Sequence, residues 1–253
     1  MHNDRPFISV IMPAYNAERF IGRAVSSVIN QTYTNWELII IDDCSADNTV
    51  AVASRIAEGD RRISVVLNEK NMGVAKTRNK GLDMAKGDWI ALLDSDDIWM
   101  PEKLEKQLNL AREEKADILY CSYGIVDENG DKAKSDYITR ENVTFDDMLN
   151  ENYIGCSTVM ISRKAAENRF LTDFYHEDYV MWLTLIRQGF RACGLTEVLV
   201  KWRYIENSRS YNKIQSAKNR WLIYRKQLKL PLLKSIRHLA RYAFAGIRKY
   251  KSE

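Results

Sequence analysis

The chain has 253 residues, 45% of them apolar and 28% charged. That length and balance suit one large domain with a sizeable core. They exclude wholesale disorder, a collagen-like repeat and a small disulfide scaffold. The net charge of +4 is unevenly spread: residues 1–214 carry 27 Lys/Arg against 33 Asp/Glu, whereas residues 215–253 carry 11 against one acid, Glu253. An acidic globule with a basic tail is expected, and the tail should seek an anionic partner such as lipid, nucleic acid or an acidic protein.

Taken in chain order, Phe7–Met12 is a near-continuous apolar run, as expected of a strand buried on both faces, and Pro13 should stop it. Asn16 is placed to cap the next helix, where Ile21, Ala24, Val25, Val28 and Ile29 recur at helical spacing. Glu37–Ile41 reads as a second strand ending at Asp42 and Asp43, and Asp47 or Ser45 can cap a helix through about Glu58. Ile63–Leu67 is a third strand, Gly73–Lys86 a helix, and Trp89–Leu93 a fourth strand closed by Asp94-Ser95-Asp96-Asp97. Strands alternating with helices argue for a parallel α/β sheet, which binds ligands beyond the carboxyl ends of its strands.

Pro101 opens a helix to about Glu114, and Asp117–Tyr123 is a further strand. Asp127-Glu128-Asn129-Gly130 has the composition of a hairpin turn. Residues 131–152 are polar and carry no clear periodicity. Ser157–Ile161 and Val198–Arg203 read as strands, and Glu177–Arg187 as a helix with Gly189 beyond its end. The tail reads as two helices broken at Pro231. In the second, Leu232, Ile236, Leu239, Ala243 and Ile247 fall on one face, flanked by Lys234, Arg237, Arg241 and Arg248. The domain division expected is 1–214, with a nucleotide-binding half (1–115) and an acceptor-shaping half (116–214), followed by the tail 215–253.

Cys44, Cys121, Cys156 and Cys193 show no metal-knuckle spacing and are expected as buried free thiols in a reducing compartment. Met1–Pro6 is polar and lacks the apolar core of a signal peptide, and no apolar run approaches the length of a membrane span. A cytosolic protein, or one resting peripherally on the inner face of a membrane, is the expectation.

Asp94, Asp96 and Asp97 place three carboxylates within four residues, straight after a buried strand. Such crowding is best tolerated around a cation, and hard oxygen ligands select Mg²⁺ or Mn²⁺. A helix cap near Pro101 is the structural alternative for Asp96 or Asp97. Asp42-Asp43 alone reads equally well as a solvated strand end.

Several stretches, in order, resemble the family 2 glycosyltransferases. They are Ser9-Val10-Ile11-Met12-Pro13-Ala14-Tyr15-Asn16, Ser27–Thr32, Glu37–Ser45, Asn71–Ala75 with Arg78-Asn79, and Leu93–Asp97. The likeness spans roughly residues 7–115 and resumes at Glu177–Trp182. It implies a GT-A fold and inverting transfer of a sugar from a nucleotide diphosphate. Pro13, Ala14, Tyr15, Asn16 and Asp43 would line the base and ribose pocket, with Asp43 accepting from the uracil imide N–H. Glu18 and Arg78 would lie beside the nucleotide. Asp94, Ser95 and Asp96 would form the D-x-D motif, with Asp96 and then Asp97 as candidate metal ligands for Mn²⁺ or Mg²⁺. Asp178 matches the general base, with Glu177 beside it.

Trp182, one turn after Asp178, would form an acceptor wall or serve as a core residue. His176 would be a metal ligand, an acceptor contact or a structural side chain. Many relatives carry a His shortly after the last strand, and Trp202–Ser210 has none. The third metal ligand is therefore open, and Arg203, Arg209 or Lys213 would meet the diphosphate. The expected partners are a UDP-sugar, a saccharide acceptor on a lipid diphosphate in surface polysaccharide (O-antigen or capsule) synthesis, and a membrane surface through residues 215–253. No nucleic acid is expected, and a homo-oligomer stays open. The competing readings are a sugar nucleotidyltransferase and a non-catalytic nucleotide binder. Pro13–Asn16 lacks the glycine-rich basic loop that the first would want.

Overall fold

The computed structural model describes residues 5–204 and 213–250. One nine-stranded mixed sheet organises them, in the order β3 (Ile63–Leu67), β2 (Trp36–Asp42), β1 (Ile8–Ala14), β4 (Trp89–Leu92), β8 (Met160–Ser162), β6 (Ile118–Val126), β9 (Ala192–Arg203) and β5 (Ile98–Trp99), with β7 (Lys132–Tyr137) pairing on β6. The first half is the expected parallel unit. Strands β1 (Ile8–Ala14), β2 (Trp36–Asp42), β3 (Ile63–Leu67) and β4 (Trp89–Leu92) pair in parallel, linked by α1 (Ile21–Ile29), α2 (Thr49–Ala57) and α3 (Val74–Met84).

Period-two alternation divides the core. Val10, Met12, Leu38 and Ile40 face α1 and α4 (Lys103–Glu114), where Val25, Val28, Leu104 and Leu108 are buried. Ile11, Ile39 and Ile41 face the other layer, with Leu82 of α3 and Leu183 of α6 (Glu177–Arg187). Gly81 lets α3 lie against β1, because a Cβ there would stand 2.4 Å from Ile11 Cγ2.

Two sequence expectations shift in this half. Strand β1 runs through Pro13 to Ala14. Its pairing with β4 ends at Ile11–Leu92, while pairing with β2 continues to Ala14–Asp42. The Ile11 carbonyl accepts from Leu93 N, so backbone groups of that parity point to the β4 side. Pro13 therefore loses no ladder bond for want of an N–H. Asn16 does not cap α1, whose first-turn N–H groups have no side-chain cap. Its φ of 48° turns it toward the 45–46 loop, where its side chain accepts from Ala46 N and its own N–H donates to Ser45 Oγ.

The second half is mixed. Strand β5 (Ile98–Trp99) lies antiparallel to β9 (Ala192–Arg203), a longer strand than the sequence suggested, with a register shift at Ser122 of its partner β6 (Ile118–Val126). β6 turns through Asp127–Gly130, as expected, into β7 (Lys132–Tyr137). Asp127 Oδ1 accepts from the N–H groups of Asn129, Gly130 and Asp131, and Gly130 takes φ 97°. The patternless stretch 131–152 thus holds β7 and a short helix, α5 (Phe145–Asn150), started by a Thr144/Asp147 capping box. Cys156–Thr158 is a 3₁₀ turn, so β8 is only Met160–Ser162.

The tail forms the two expected helices, α7 (Lys213–Leu222) and α8 (Leu232–Tyr250), joined by a π turn over Ile223–Gln227. Residue 214 is not a packing boundary, however. Ile223, Tyr224 and Leu228 belong to the main core, and Arg220 is buried. Its guanidinium donates to Leu149 O (3.1 Å), Tyr179 Oη (3.0 Å) and Tyr224 Oη (3.3 Å), tying α5, α6 and α7 together. Among the described residues no helix is long and apolar enough to cross a membrane. Cys121 and Cys193 are buried and all four thiols are free, but Cys44 is exposed, held at φ 66° in the loop after β2.

Candidate active site

A cavity of about 540 Å³ opens at the carboxyl ends of β1, β2 and β4, facing the start of α6. The parallel half supplies one wall. Pro13, Ala14, Tyr15 and Asn16 line it from β1 and the turn after it, and the Tyr15 ring is exposed. Just past β2 comes Asp43, whose carboxylate organises the loop ahead of α3. It accepts from Asn68 Nδ2, Met72 N and Gly73 N, each at 2.8 Å. Burial would raise this carboxyl's pKa, but these donors outweigh it and hold the group below the ordinary carboxylate range. Gly73, at φ 83°, supplies the left-handed turn that brings its N–H to Asp43.

Arg78 rises from α3 into the middle of the site. Its two terminal nitrogens split: Nη1 donates to Glu177 Oε1 and Nη2 to Asp94 Oδ1, each at 2.6 Å. The guanidinium thus bridges the end of β4 to the start of α6, and it stands 5.6 Å from the Phe170 ring centroid. Of the three carboxylates beside it, Glu177 is buried and locked to Arg78, and Asp94 is ion-paired on one oxygen. Asp178 lines the cavity with its pKa pushed up to about 6, by burial first and then by the charge of Glu177. A carboxylate poised there accepts a proton at neutral pH yet holds it well enough to act as a base.

The Asp94–Asp97 turn divides its carboxylates. Asp94, Ser95 and Asp96 line the cavity, and burial with the charge of Asp94 raises Asp96 to about 6. Asp97 points away. Its Oδ1 accepts from Arg203 N at 2.8 Å and its Oδ2 from the Ser157 hydroxyl. Burial, then Asp96 and Asp94, push its pKa well up. Both Asp97 oxygens are engaged and Asp97 is not among the lining residues, so it fits a buttress of the turn rather than a metal ligand. Ser157 Oγ also accepts from Asp94 N (3.0 Å), so one hydroxyl fixes both ends of the turn.

Two more expected residues stand apart from the cavity. Glu18 faces solvent and accepts from Asn48 N and Nδ2, both at 2.9 Å, because the turn after Asn16 carries it over the loop before α2. Trp182 is fully buried, edge-on to Phe170 with centroids 6.2 Å apart. It faces the core side of α6, which excludes the acceptor-wall role. His176 does line the cavity, with Nε2 3.1 Å from Ser216 Oγ of α7. Arg203 lines it as well; its Nε and Nη1 donate to the carbonyls of Asp96 (2.8 Å), Asp127 (2.6 Å) and Glu128 (2.8 Å), while its Nη2 is buried with no hydrogen-bond partner among the described residues. Arg209 lies outside the described residues, and Lys213 is the first residue of α7.

Several lining residues escaped sequence reasoning: Thr77, Cys156, Tyr175 and Trp202. Cys156 and Trp202 come from the mixed half, where only strand pairing fixes position. Among the described residues no three His, Cys, Asp or Glu side chains converge as a ready metal cage. The donor set still fits a hard divalent ion. Asp94 and Asp96 are mutually repelling carboxylates at one cavity wall, and Mg²⁺-type sites take one or two carboxylates and complete their shell with water and substrate phosphate.

A parallel nucleotide-type half sheet, a mixed second half, and acids at the strand ends opposite a carboxylate-bearing helix start define a GT-A glycosyltransferase. The sequence model described as Glycosyl transferase family 2 matches residues 9–170, and the chain belongs to that family. Family membership sets aside the nucleotidyltransferase reading. The chain is 38% identical over 250 residues to TuaG of Bacillus subtilis, a glycosyltransferase provisionally named for teichuronic acid biosynthesis, covering 98% of this chain and 99% of that protein. It is 36% identical over 250 residues to WfgD of Escherichia coli, named a UDP-Glc:α-D-GlcNAc-diphosphoundecaprenol β-1,3-glucosyltransferase, covering 98% and 96%. Its fold is similar, with a TM-score of 0.72, to a mannosyltransferase from Pyrobaculum calidifontis in complex with GDP-Man and Mn²⁺. That match has 19% identity and covers 95% of this chain and 70% of the other.

Proposed function

We propose that this family 2 glycosyltransferase moves a hexosyl or N-acetylhexosaminyl group from a UDP-sugar to a saccharide carried on a lipid diphosphate. The setting would be bacterial surface polysaccharide synthesis, of the O-antigen or capsule kind, at the inner face of the membrane. The name of WfgD supports the donor and acceptor class. The observation that carries the chemistry is the division of labour among carboxylates: Arg78 occupies Asp94 and Glu177, leaving Asp178 as the raised-pKa carboxylate on the α6 side of the cavity, opposite Asp96.

The acceptor hydroxyl attacks the anomeric carbon as the bond from that carbon to the diphosphate oxygen breaks. Asp178 takes the hydroxyl proton, and UDP leaves with the bonding pair. No protein nucleophile intervenes, so a single displacement inverts the anomeric centre. A divalent ion held by Asp94 and Asp96 would supply Lewis-acid stabilisation for the charge on the leaving diphosphate. Tyr15, Asn16 and the Asp43-anchored loop would hold the base and ribose.

The test is UDP release from a panel of UDP-sugars with Mn²⁺ and a synthetic lipid-diphosphate-GlcNAc acceptor. Acceptor-dependent release is expected, abolished by EDTA and lowered about 10²–10⁴-fold in Asp178→Asn. Asp178→Asn turning over within about threefold of the parent, in a step that general bases usually speed far more, would overturn the assignment of the base.

A further inference from the structure

The start of helix α8 turns two polar side chains inward and three apolar ones outward. Ser235 and His238 are 0% and 1% exposed, whereas Leu232, Leu233 and Ile236 are 53%, 81% and 50% exposed. His238 Nδ1 sits 2.9 Å from Asn150 Oδ1 of α5, and Ser235 Oγ donates to Pro231 O at 3.1 Å. Of the single apolar face that the sequence suggested, Leu239 packs on the core while Leu232 and Ile236 stand in solvent. A surface helix of a soluble globule normally does the reverse.

The exposure is concentrated. Of the eight large apolar side chains exposed among the described residues, four fall within fifteen positions: Leu222, Leu232, Leu233 and Ile236. Cations surround them. Arg225, Lys226, Lys229, Lys234, Arg237 and Arg241 are all exposed, and the sequence has no Asp or Glu from 207 to 252. Among these cations, Lys234 reaches Asp146 at 3.4 Å.

We infer that the start of α8 and the loop before it form a docking edge for an anionic bilayer, with Leu232, Leu233 and Ile236 entering the headgroup boundary. A crest of leucines ringed by cations matches a surface that is apolar inside and anionic outside. A second copy of this chain would bring like charge against like charge across a two-fold axis. Nucleic acid would match the cations but leave the leucines in water. The inference deepens the reading above, because it names the surface on which a lipid-borne acceptor would be met.

The test is co-flotation of the full chain with phosphatidylcholine vesicles, with and without phosphatidylglycerol, at low and at molar salt. The wild type should bind the anionic vesicles and release in high salt. The variant Leu232→Ser/Leu233→Ser/Ile236→Ser should keep its melting temperature, since all three side chains are at least half exposed, and lose vesicle affinity about tenfold or more. A second variant, Lys226→Glu/Lys229→Glu/Arg237→Glu, should lose the preference for anionic vesicles. The inference is overturned if the wild type binds neither vesicle, if the serine variant floats as well as the wild type, or if size exclusion shows a dimer that the serine variant splits. Vesicle binding needs no donor turnover, so its failure leaves the glycosyl-transfer reading standing, and absence of UDP release leaves the docking edge standing.

Discussion

Replacing Arg78 by leucine tests how the site is held together. Arg78 is only 4% exposed and ion-paired at 2.6 Å to both Glu177 and Asp94, whose side chains are 6% and 32% exposed. Removing one partner of a buried pair costs about 3–5 kcal/mol, because it strands a charge away from water. Most of that falls on Glu177, since Asp94 can turn toward solvent. A chain of this size loses roughly 2–4 °C of melting temperature per kcal/mol, so Arg78→Leu should melt about 6–20 °C lower.

The double variant Arg78→Leu/Glu177→Leu should recover more than half of that loss, because the most buried carboxylate that Arg78 compensates leaves with it. It also removes Arg78 Nε, which is buried without an acceptor. Differential scanning fluorimetry on the four members of the cycle is sufficient. Single and double losses that simply add, or an Arg78→Leu change within about 1 °C, would refute the bridge, since partners in contact are expected to couple by well above 0.5 kcal/mol. In Arg78→Leu the loss of the guanidinium charge, which holds the neighbouring Asp178 down, should also push that carboxyl higher, moving the acid limb of activity to higher pH.

Asp178 makes its own pH prediction. Its carboxyl is raised to about 6, so it is protonated below that pH and cannot accept the hydroxyl proton. Wild-type kcat/KM should therefore fall about tenfold per pH unit below 6, and a profile flat to pH 5 would contradict the assignment. The same shift has a stability sign. A carboxyl whose folded pKa lies above its unfolded one stabilises fully below the unfolded value, and that contribution is lost as pH rises through about 6. Asp178→Asn should thus melt higher than wild type at pH 7.5, by a few °C, with the gap closing near pH 4. Ser157→Ala removes the hydroxyl shared by Asp97 and Asp94 N. It should cost about 1–3 kcal/mol and lower turnover without contacting substrate, whereas Ser157→Thr should retain most of both.

The sequence by itself determined the parallel half and most of the site. Buried runs such as Glu37–Ile41 have one stable use, a central strand, and the polar residues just past them must gather at one edge of the sheet. That is why Pro13, Asn16, Asp43, Asp94 and Asp96, spread over 84 positions of the chain, line one cavity. The start of α6 was equally legible, since Glu177–Arg187 has helical periodicity and the family likeness marked its acids. The capping box at Thr144 went unread, since its helix of six residues is too short to show a period.

Tertiary structure decided how neighbouring residues divide their roles. Asp96 and Asp97 are adjacent in sequence, yet one faces the cavity and the other is claimed by Ser157 and Arg203, 60 and 106 residues away. Glu177 and Asp178 differ because Arg78, 99 residues from Glu177, takes one of them. The tail shows the same limit. Periodicity placed two amphipathic helices but could not tell which side meets the body. Buried Arg220, Tyr224 and His238 fill the space left by α5 and α6, and that packing turns Leu232, Leu233 and Ile236 of α8 outward. Spacing along a chain sets which residues share a face; the partner that covers the face is chosen by contacts that no local pattern contains.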